Sequence, residues 1–122
     1  MQKAYAIKSM HRLPFYIGLK YPYSMKANLV KHVRIVDELG NIIEIKIWQL
    51  PKPAKDKPHG YKYSLVYIVD GIRVIGYDNA EGKGDHRHDK GKEKPYIFRD
   101  IEKLLSDFFR DIVKFTGGSH EN

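Results

Sequence analysis

Two runs of alternating apolar and polar residues, separated by Asp70-Gly71, constrain this chain more than any other feature. Tyr61 to Val69 places large apolar side chains at every second position, and Ile72 to Asp78 follows directly after the Asp-Gly pair. Alternation with a period of two is typical of a β-strand with one buried face, and Asp-Gly is among the strongest signals for a two-residue hairpin turn. The sequence therefore predicts an antiparallel hairpin here.

A second hairpin is predicted upstream of the first. Isoleucines alternate with other side chains from Asn41 to Leu50, and a looser alternation runs from Leu29 to Val36. Gly40-Asn41 lies between these runs and supplies residue types that tight turns require. Pro51 and Pro53 end the hairpin, because proline cannot donate a hydrogen bond to a strand ladder. The four runs together predict a four-stranded antiparallel meander.

A helix is predicted from about Asp100 to Phe115, with Gly117-Gly118 as its stop. Its apolar side chains recur at spacings of three and four and form one wide stripe, which must pack against the sheet. The predicted fold is therefore α+β: a four-stranded antiparallel meander with one long C-terminal helix packed on one face. The other face is the expected binding surface. The stripe consists of Ile101, Leu104, Leu105, Phe108, Phe109, Ile112 and Phe115.

The length of 122 residues suits one domain with a modest core. We expect that domain to span residues 25–117, preceded by an N-terminal extension at residues 1–24 and followed by a tail at residues 118–122. The extension is rich in tyrosine, lysine and proline and has no regular period. Because the clean pattern begins directly after Met25, Met25 is a second candidate for the native start.

Several classes of protein are excluded by composition. The chain has no cysteine, which excludes a disulfide scaffold, thiolate metal sites and a cysteine nucleophile. No apolar run approaches the roughly 20 residues that a membrane-spanning helix needs. We therefore expect a cytoplasmic protein with no membrane contact, and the sequence predicts no cofactor.

The formal charge of +7 suggests an anionic partner such as RNA, but five of the seven units lie in residues 1–26, and residues 27–122 carry a net charge of only +2. The stretch from Lys46 to Lys62 holds five lysines and one acid, Asp56. Such a stretch can follow a phosphate backbone, although a solvated loop explains it equally well. Trp48 shares a strand face with charged residues, which suits base stacking or a protein contact, and burial beneath the N-terminal extension is the alternative.

The candidate chemistry lies between Gly76 and His88. His86 and His88 are two residues apart, so an extended backbone places both imidazoles on one side, and histidine exchanges protons near neutral pH. Gly76, inside a strand, indicates a bulge or a close backbone approach that aims its two successors into this cluster. The candidate catalytic residues are His86, His88, His59, Tyr77 and Asp78, and the candidate nucleic-acid-binding residues are Lys46, Trp48, Lys62, Lys83 and Arg87.

Taken together, these motifs resemble the TumE family of toxins from two-gene toxin-antitoxin modules, over about residues 25 to 117. The resemblance implies a toxin that is neutralised by a cognate antitoxin, typically a DNA-binding protein of the helix-turn-helix type. It carries over no catalytic residues. The motifs are Ile45-Lys46-Ile47-Trp48, Pro58-His59-Gly60-Tyr61-Lys62-Tyr63, Gly76-Tyr77-Asp78-Asn79, Gly82-Lys83-Gly84-Asp85-His86-Arg87-His88 and the closing aromatic helix.

The leading hypothesis is a toxin that cleaves RNA without a metal, with His86 and His88 as the acid-base pair. One alternative is a non-enzymatic module that binds RNA or protein through the uncovered sheet face and the Lys46 to Lys62 stretch. A further alternative is a metal-dependent nuclease that uses both histidines with Asp78 or Asp85. No third ligand is fixed by the sequence, so no metal is predicted. An open edge strand would also suit a homodimer.

Overall fold

The computed structural model describes residues 26–80 and 82–117. The expected extension at residues 1–24, Met25 and the tail at residues 118–122 lie outside the described residues. The elements in chain order are β1 (Asn28–Val36), β2 (Ile42–Gln49), β3 (Tyr61–Val69), β4 (Ile72–Asp78), β5 (His86–Asp89), β6 (Lys92–Pro95) and α1 (Ile101–Phe115).

The strands form one antiparallel sheet in the order β1-β2-β3-β4-β5-β6. The α+β class, the meander of β1 to β4 and the single C-terminal helix are confirmed, but the predicted count of four strands is wrong. The two extra strands have four residues each and are composed almost entirely of charged residues and histidine. They show no apolar alternation, so the criterion that found the other strands missed them.

The turn between the extra strands carries a signal that the sequence analysis did not use. Lys90 and Gly91 both have positive φ angles, 52° and 87°, as do Asp70 and Gly71, at 52° and 76°. Two successive positive φ angles are the mark of the hairpin turn whose twist matches that of the strands. Lys90-Gly91 therefore closes the β5–β6 hairpin in the same way as Asp70-Gly71 closes β3–β4.

One side of the sheet, which we call the helix face, packs against α1. It carries alternate side chains of β2, β3 and β4, and Phe108 of α1 is fully buried against them. Fully burying one such side chain stabilises the fold by roughly 1.5 to 3 kcal/mol. The buried cluster comprises Ile43, Ile45, Ile47, Tyr63, Leu65, Tyr67, Ile75, Tyr77, Leu104, Phe108 and Ile112.

The helix begins where the sequence places it. Asp100 caps the N-terminus, because its side chain accepts a hydrogen bond of 2.7 Å from the backbone N–H of Lys103. The apolar stripe is confirmed except at Phe109, which is 40% exposed. Asp107 and Asp111 are buried instead, and each accepts a hydrogen bond from a tyrosine hydroxyl.

The opposite side of the sheet carries the residues that alternate with the core. The strand register aligns Lys46, Ser64, Asp78 and His86 across four strands, with His88 beside Gly76 in the next row. We call this side the histidine face. Separately, no helix in the described part of the chain is long and apolar enough to cross a membrane.

Candidate functional site

Asp78 lies between His86 and His88 on the histidine face. β4 ends at Asp78 and β5 begins at His86, and the register pairs these two residues. His86 Nε2 lies 2.9 Å from Asp78 Oδ1, and His88 Nε2 lies 3.4 Å from Asp78 Oδ2. The ring centroids of the two histidines are 5.0 Å apart. Because side chains two residues apart on a strand point to the same face, both imidazoles reach the same carboxylate.

Both ring nitrogens of His86 face oxygen atoms. Nδ1 lies 3.1 Å from the carbonyl oxygen of Gly84, while Nε2 faces Asp78 and also lies 3.3 Å from Glu93 Oε2. A neutral imidazole has only one N–H, so it cannot donate to both sides. The surroundings of His86 therefore suit the doubly protonated imidazolium, which is a proton donor.

The surroundings of His88 differ. The guanidinium of Arg73 lies 3.1 Å from His88 Nδ1. Because arginine is always a donor, Nδ1 accepts and the ring proton lies on Nε2, which faces Asp78. Burial, together with the positive charge of Arg73, lowers the pKa of His88 below its ordinary value of 6.5. One histidine of the pair is thus surrounded by acceptors, and the other is held neutral.

Arg73 is a site residue that the sequence analysis missed. Simple alternation along β4 would place Arg73 with Tyr77 on the helix face. The register of the β3–β4 pair shifts between Tyr67 and Ile68, however, so Arg73 pairs with Ile68 and lies on the histidine face. A register irregularity of this kind leaves no mark in the hydrophobic pattern, so only a search for bulges could have indicated it.

Because Gly76 has no side chain, there is room beside it for the side chain of Arg73. A Cβ atom at Gly76 would lie 3.0 Å from Cδ of Arg73 and 3.6 Å from Cδ2 of His88. The predicted bulge is therefore not at Gly76, which pairs regularly with Val66 and His88. The close approach is that of the Arg73 side chain and not of another backbone.

Glu93 is the second missed residue, and it belongs to the unpredicted strand β6. Its register partner is His88, and it accepts a 3.1 Å hydrogen bond from Lys83 Nζ. That hydrogen bond lowers the pKa of Glu93 below its ordinary 4.5. Lys83, which the sequence analysis placed in direct contact with phosphate, thus reaches the histidine cluster through Glu93.

Tyr77 and Arg87 lie on the helix face, on the other side of the sheet from the histidine cluster. The Tyr77 hydroxyl donates to Asp111 Oδ2 at 2.5 Å, and Arg87 donates to the same oxygen at 2.8 Å. Burial and the bond to Asp111 raise the pKa of Tyr77 above its usual value of 10. These two side chains connect α1 to the sheet and do not meet His86 or His88.

His59 also belongs to the helix face. Its Nδ1 accepts a hydrogen bond from the backbone N–H of Tyr61, and its Nε2 lies 2.9 Å from Asp85 Oδ2. The same carboxylate oxygen accepts from the Tyr63 hydroxyl at 2.6 Å, and the His59 ring stacks on Phe98 with centroids 4.0 Å apart. A neutral imidazole satisfies this arrangement fully, so His59 is placed as a packing residue.

The remaining predicted RNA contacts lie on the histidine face at a distance from the cluster. Lys46 is two strands from Asp78, about 10 Å by strand spacing, and its Nζ lies 3.9 Å from Glu44. Lys62 Nζ lies 5.8 Å from the centre of the Trp48 ring. Trp48 is only 4% exposed, so it does not present its ring to solvent.

The cluster has part of the chemistry of a metal site. Asp78, His86 and His88 each offer one potential ligand atom, and these atoms lie within 4.8 Å of one another. Asp85 cannot join them, because its carboxylate is on the helix face with His59. The bond from Arg73 places the His88 proton on Nε2, the atom that would face a metal. The arrangement therefore suits proton transfer better than metal binding.

The described residues define a small α+β protein whose sheet carries a histidine–aspartate cluster on one face. A family model described as Toxin TumE matches residues 17–116 of the chain. The chain belongs to the TumE toxin family, which makes it the toxin component of a toxin-antitoxin module with a cognate antitoxin. The match starts before Met25, so the resemblance extends further than residues 25 to 117. No curated protein and no solved structure matches the chain.

Proposed function

We propose that this toxin cleaves RNA by acid-base catalysis at the cluster of Asp78, His86 and His88, without a metal. The observation that carries the proposal is the contrast between two imidazoles 5.0 Å apart: His86 has acceptors at both nitrogens, and His88 is held neutral. Adjacent titratable groups in contrasting surroundings are how one site supplies an acid and a base at one pH.

The reaction we propose is transfer of a phosphodiester within one RNA strand. His88 takes the proton of a 2′-hydroxyl, and the 2′-oxygen attacks phosphorus. The bond from phosphorus to the 5′-oxygen breaks, and His86 donates a proton to that leaving oxygen. The products are a 2′,3′-cyclic phosphate and a free 5′-hydroxyl. Asp78 positions both rings, because each Nε2 faces one of its oxygens.

In the proposed mechanism, Arg73 makes the ability of His88 to accept a proton depend on RNA binding. Its side chain is 44% exposed and reaches both His88 and Asp78. A phosphate group competes for the guanidinium, and when Arg73 turns to the phosphate it releases His88 Nδ1 to accept the 2′-hydroxyl proton. Once on the phosphate, the guanidinium stabilises the charge that develops in the transition state.

The rest of the histidine face extends the proposed RNA surface. Lys46 on β2 and Lys62 on β3 lie on the same face, two strands and one strand from β4. Cations in such positions contact phosphates and make binding dependent on salt. Trp48 would contact a base only after a change of conformation, since it is buried. The helix-turn-helix type of the antitoxin stays a prediction.

The test is incubation of RNA with the purified full chain in EDTA. We expect wild type to cleave, and His86→Ala and His88→Ala to lose activity by about 100-fold or more. His32→Asn is the matched control, because His32 lies on the same face but contacts Glu44, three strands away. Equal cleavage by wild type and both histidine variants would overturn the proposal.

The same assay distinguishes the proposed ribonuclease from the two alternatives, a non-enzymatic binding module and a metal-dependent nuclease. RNA binding without cleavage, weakened by Lys46→Gln and Lys62→Gln and insensitive to the histidine changes, would indicate a non-enzymatic module. Cleavage that EDTA stops and Mn²⁺ restores would indicate a metal-dependent nuclease.

A further inference from the structure

The two edges of the sheet differ in their protection against pairing with another strand. β6 has only four residues, all exposed, and consists of Lys92, Glu93, Lys94 and Pro95. Short, charged edges that contain proline discourage an added strand. β1 has nine residues, and within the described residues it lies at the opposite edge with only β2 beside it. Its end residue Val36 is 65% exposed.

Exposed apolar side chains run along β1. Leu29 is 37% exposed, Val30 48% and Ile35 46%, in addition to Val36. β1 contains no proline, and its charged residues, Lys31 and Arg34, are both basic. Such an edge repels a basic strand but not an acidic one, and an exposed apolar edge is where another strand can add.

Exposed apolar side chains also lie on α1 and on the helix face of β1. Asp111 on one flank of α1 contacts Arg87 of β5. Phe109 and Val113 lie away from that flank by helical period and are 40% and 55% exposed. Ile35 pairs with Ile43 and so lies on the helix face of β1. Apolar side chains of β1 and of α1 are therefore both partly exposed to solvent.

Charge distinguishes the occupants that this edge could accept. Residues 26–36 contain Lys26, Lys31 and Arg34 and no acid. A second copy of the chain would bring these same cations to the edge. The segment of residues 1–25 contains four basic residues and no acid, so it would also bring positive charge. Like charges on neighbouring strands are destabilising, whereas opposite charges stabilise. The edge thus favours an acidic strand over both.

We propose that the outer edge of β1 binds an extended segment of the cognate antitoxin, in which apolar residues alternate with acidic ones, as a seventh strand of the sheet. The apolar side chains pack beside Ile35 on the helix face, and the acidic ones lie on the histidine face beside Arg34, which also pairs with Glu44. The inference rests on the toxin's membership of a two-gene module and not on RNA cleavage. β1 is three strands, about 14 Å, from β4, so the two properties are measured separately.

The first test uses a defined probe and the full chain. A nine-residue peptide of alternating valine and glutamate is titrated into labelled protein, with a valine-lysine peptide of the same pattern as control. We expect backbone amide resonances of β1 to shift with the glutamate peptide, and affinity at least about tenfold weaker for the lysine peptide. Equal affinities, or shifts confined to other strands, would overturn the proposal.

The second test uses the antitoxin co-expressed with the toxin. Val36→Glu places a repulsive charge on the edge, and we expect binding to weaken by about tenfold or more while RNA cleavage is unchanged. Ile72→Glu is the matched control, since Ile72 is 64% exposed but lies on β4. We expect it to bind like wild type. Unchanged binding of Val36→Glu, or equal loss in both variants, would contradict the proposal.

Hydrogen exchange of the free chain tests whether a second copy or another segment of the same chain already occupies the edge of β1. We expect outward-facing amides of β1 to exchange rapidly in the free toxin and to become protected in the complex. Protection already present in the free chain would overturn the proposal. If this protection rises with protein concentration, a second copy occupies the edge. If the protection is independent of concentration, another segment of the same chain occupies it.

Discussion

The side chain of Arg73 lies so close to Gly76 that a Cβ atom at position 76 would be 3.0 Å from Cδ of Arg73, and any other residue there would make that side chain shift. This contact is how Arg73 reaches His88 Nδ1, 3.1 Å from the guanidinium. Gly76 thus lets the Arg73 side chain approach without a steric contact. Its backbone is not in the left-handed region, so alanine is conformationally permitted there.

We expect Gly76→Ala to fold and to lose most of the RNA cleavage, because the new methyl group displaces Arg73. A double-mutant cycle with Arg73→Gln tests this cause. If the glycine acts through Arg73, Gly76→Ala adds little to the loss that Arg73→Gln already produces. Fully additive losses would show that Gly76 acts by another route, and a urea midpoint of each variant controls for stability.

The pH dependence of cleavage should depend on Arg73. The base must be neutral, so activity rises with pH as His88 loses its proton, and burial and Arg73 lower the pKa of His88 below 6.5. Removing the cation in Arg73→Gln raises the pKa of His88, which moves the acidic limb of kcat/KM to higher pH. Rates between about pH 4.5 and 8 measure this. Lys62→Gln, which removes a cation farther from His88, should leave the acidic limb in place. An acidic limb that does not move in Arg73→Gln would contradict the assignment of His88 as base.

Two neighbouring phenylalanines of α1 should differ sharply in their effect on stability. Phe108 is fully buried against the sheet, whereas Phe109 is 40% exposed. We expect Phe108→Ala to lower the free energy of unfolding by about 3 to 5 kcal/mol and Phe109→Ala by less than about 1 kcal/mol. Urea denaturation measures both, and similar losses would contradict the packing of α1 described above.

The contacts of Asp111 should stabilise the fold without contributing to cleavage. We expect Tyr77→Phe to cost about 1 to 2 kcal/mol of unfolding free energy, and Arg87→Met about 1 to 3 kcal/mol, because each leaves the buried Asp111 with one donor fewer. Cleavage per folded molecule should match wild type. Arg99→Met, at an exposed position before α1, is the control for loss of one arginine. A specific loss of activity in Tyr77→Phe would place Tyr77 in the reaction after all.

The sequence predicted those parts of the fold in which burial alternates regularly. β2 and β3 place isoleucine or tyrosine at every second position, and the helix repeats its apolar residues at spacings of three and four, so both were found. β5 and β6 are the last two strands of the sheet and contain no residue of the hydrophobic core. A hydrophobic pattern cannot indicate strands that pair mainly through their backbones.

The candidate site was predictable to a similar degree. His86, His88 and Asp78 were grouped because a two-residue spacing keeps side chains on one face, and the structure brings them together. Arg73 depended on a register shift, and Glu93 depended on a strand that was not predicted. Tyr77 is next to Asp78 in the chain, but adjacent strand residues point to opposite faces of the sheet. His59 lies in the turn before β3 and packs on the helix face, so it is also separated from the cluster.

The strand that carries both histidines also anchors the helix, through Arg87 between them. If the proposed cleavage is the toxic activity, a substitution at position 86 or 88 would weaken the toxin, whereas removal of β5 would also remove the contact that holds the helix. The weakened protein would then still be available for the antitoxin to recognise.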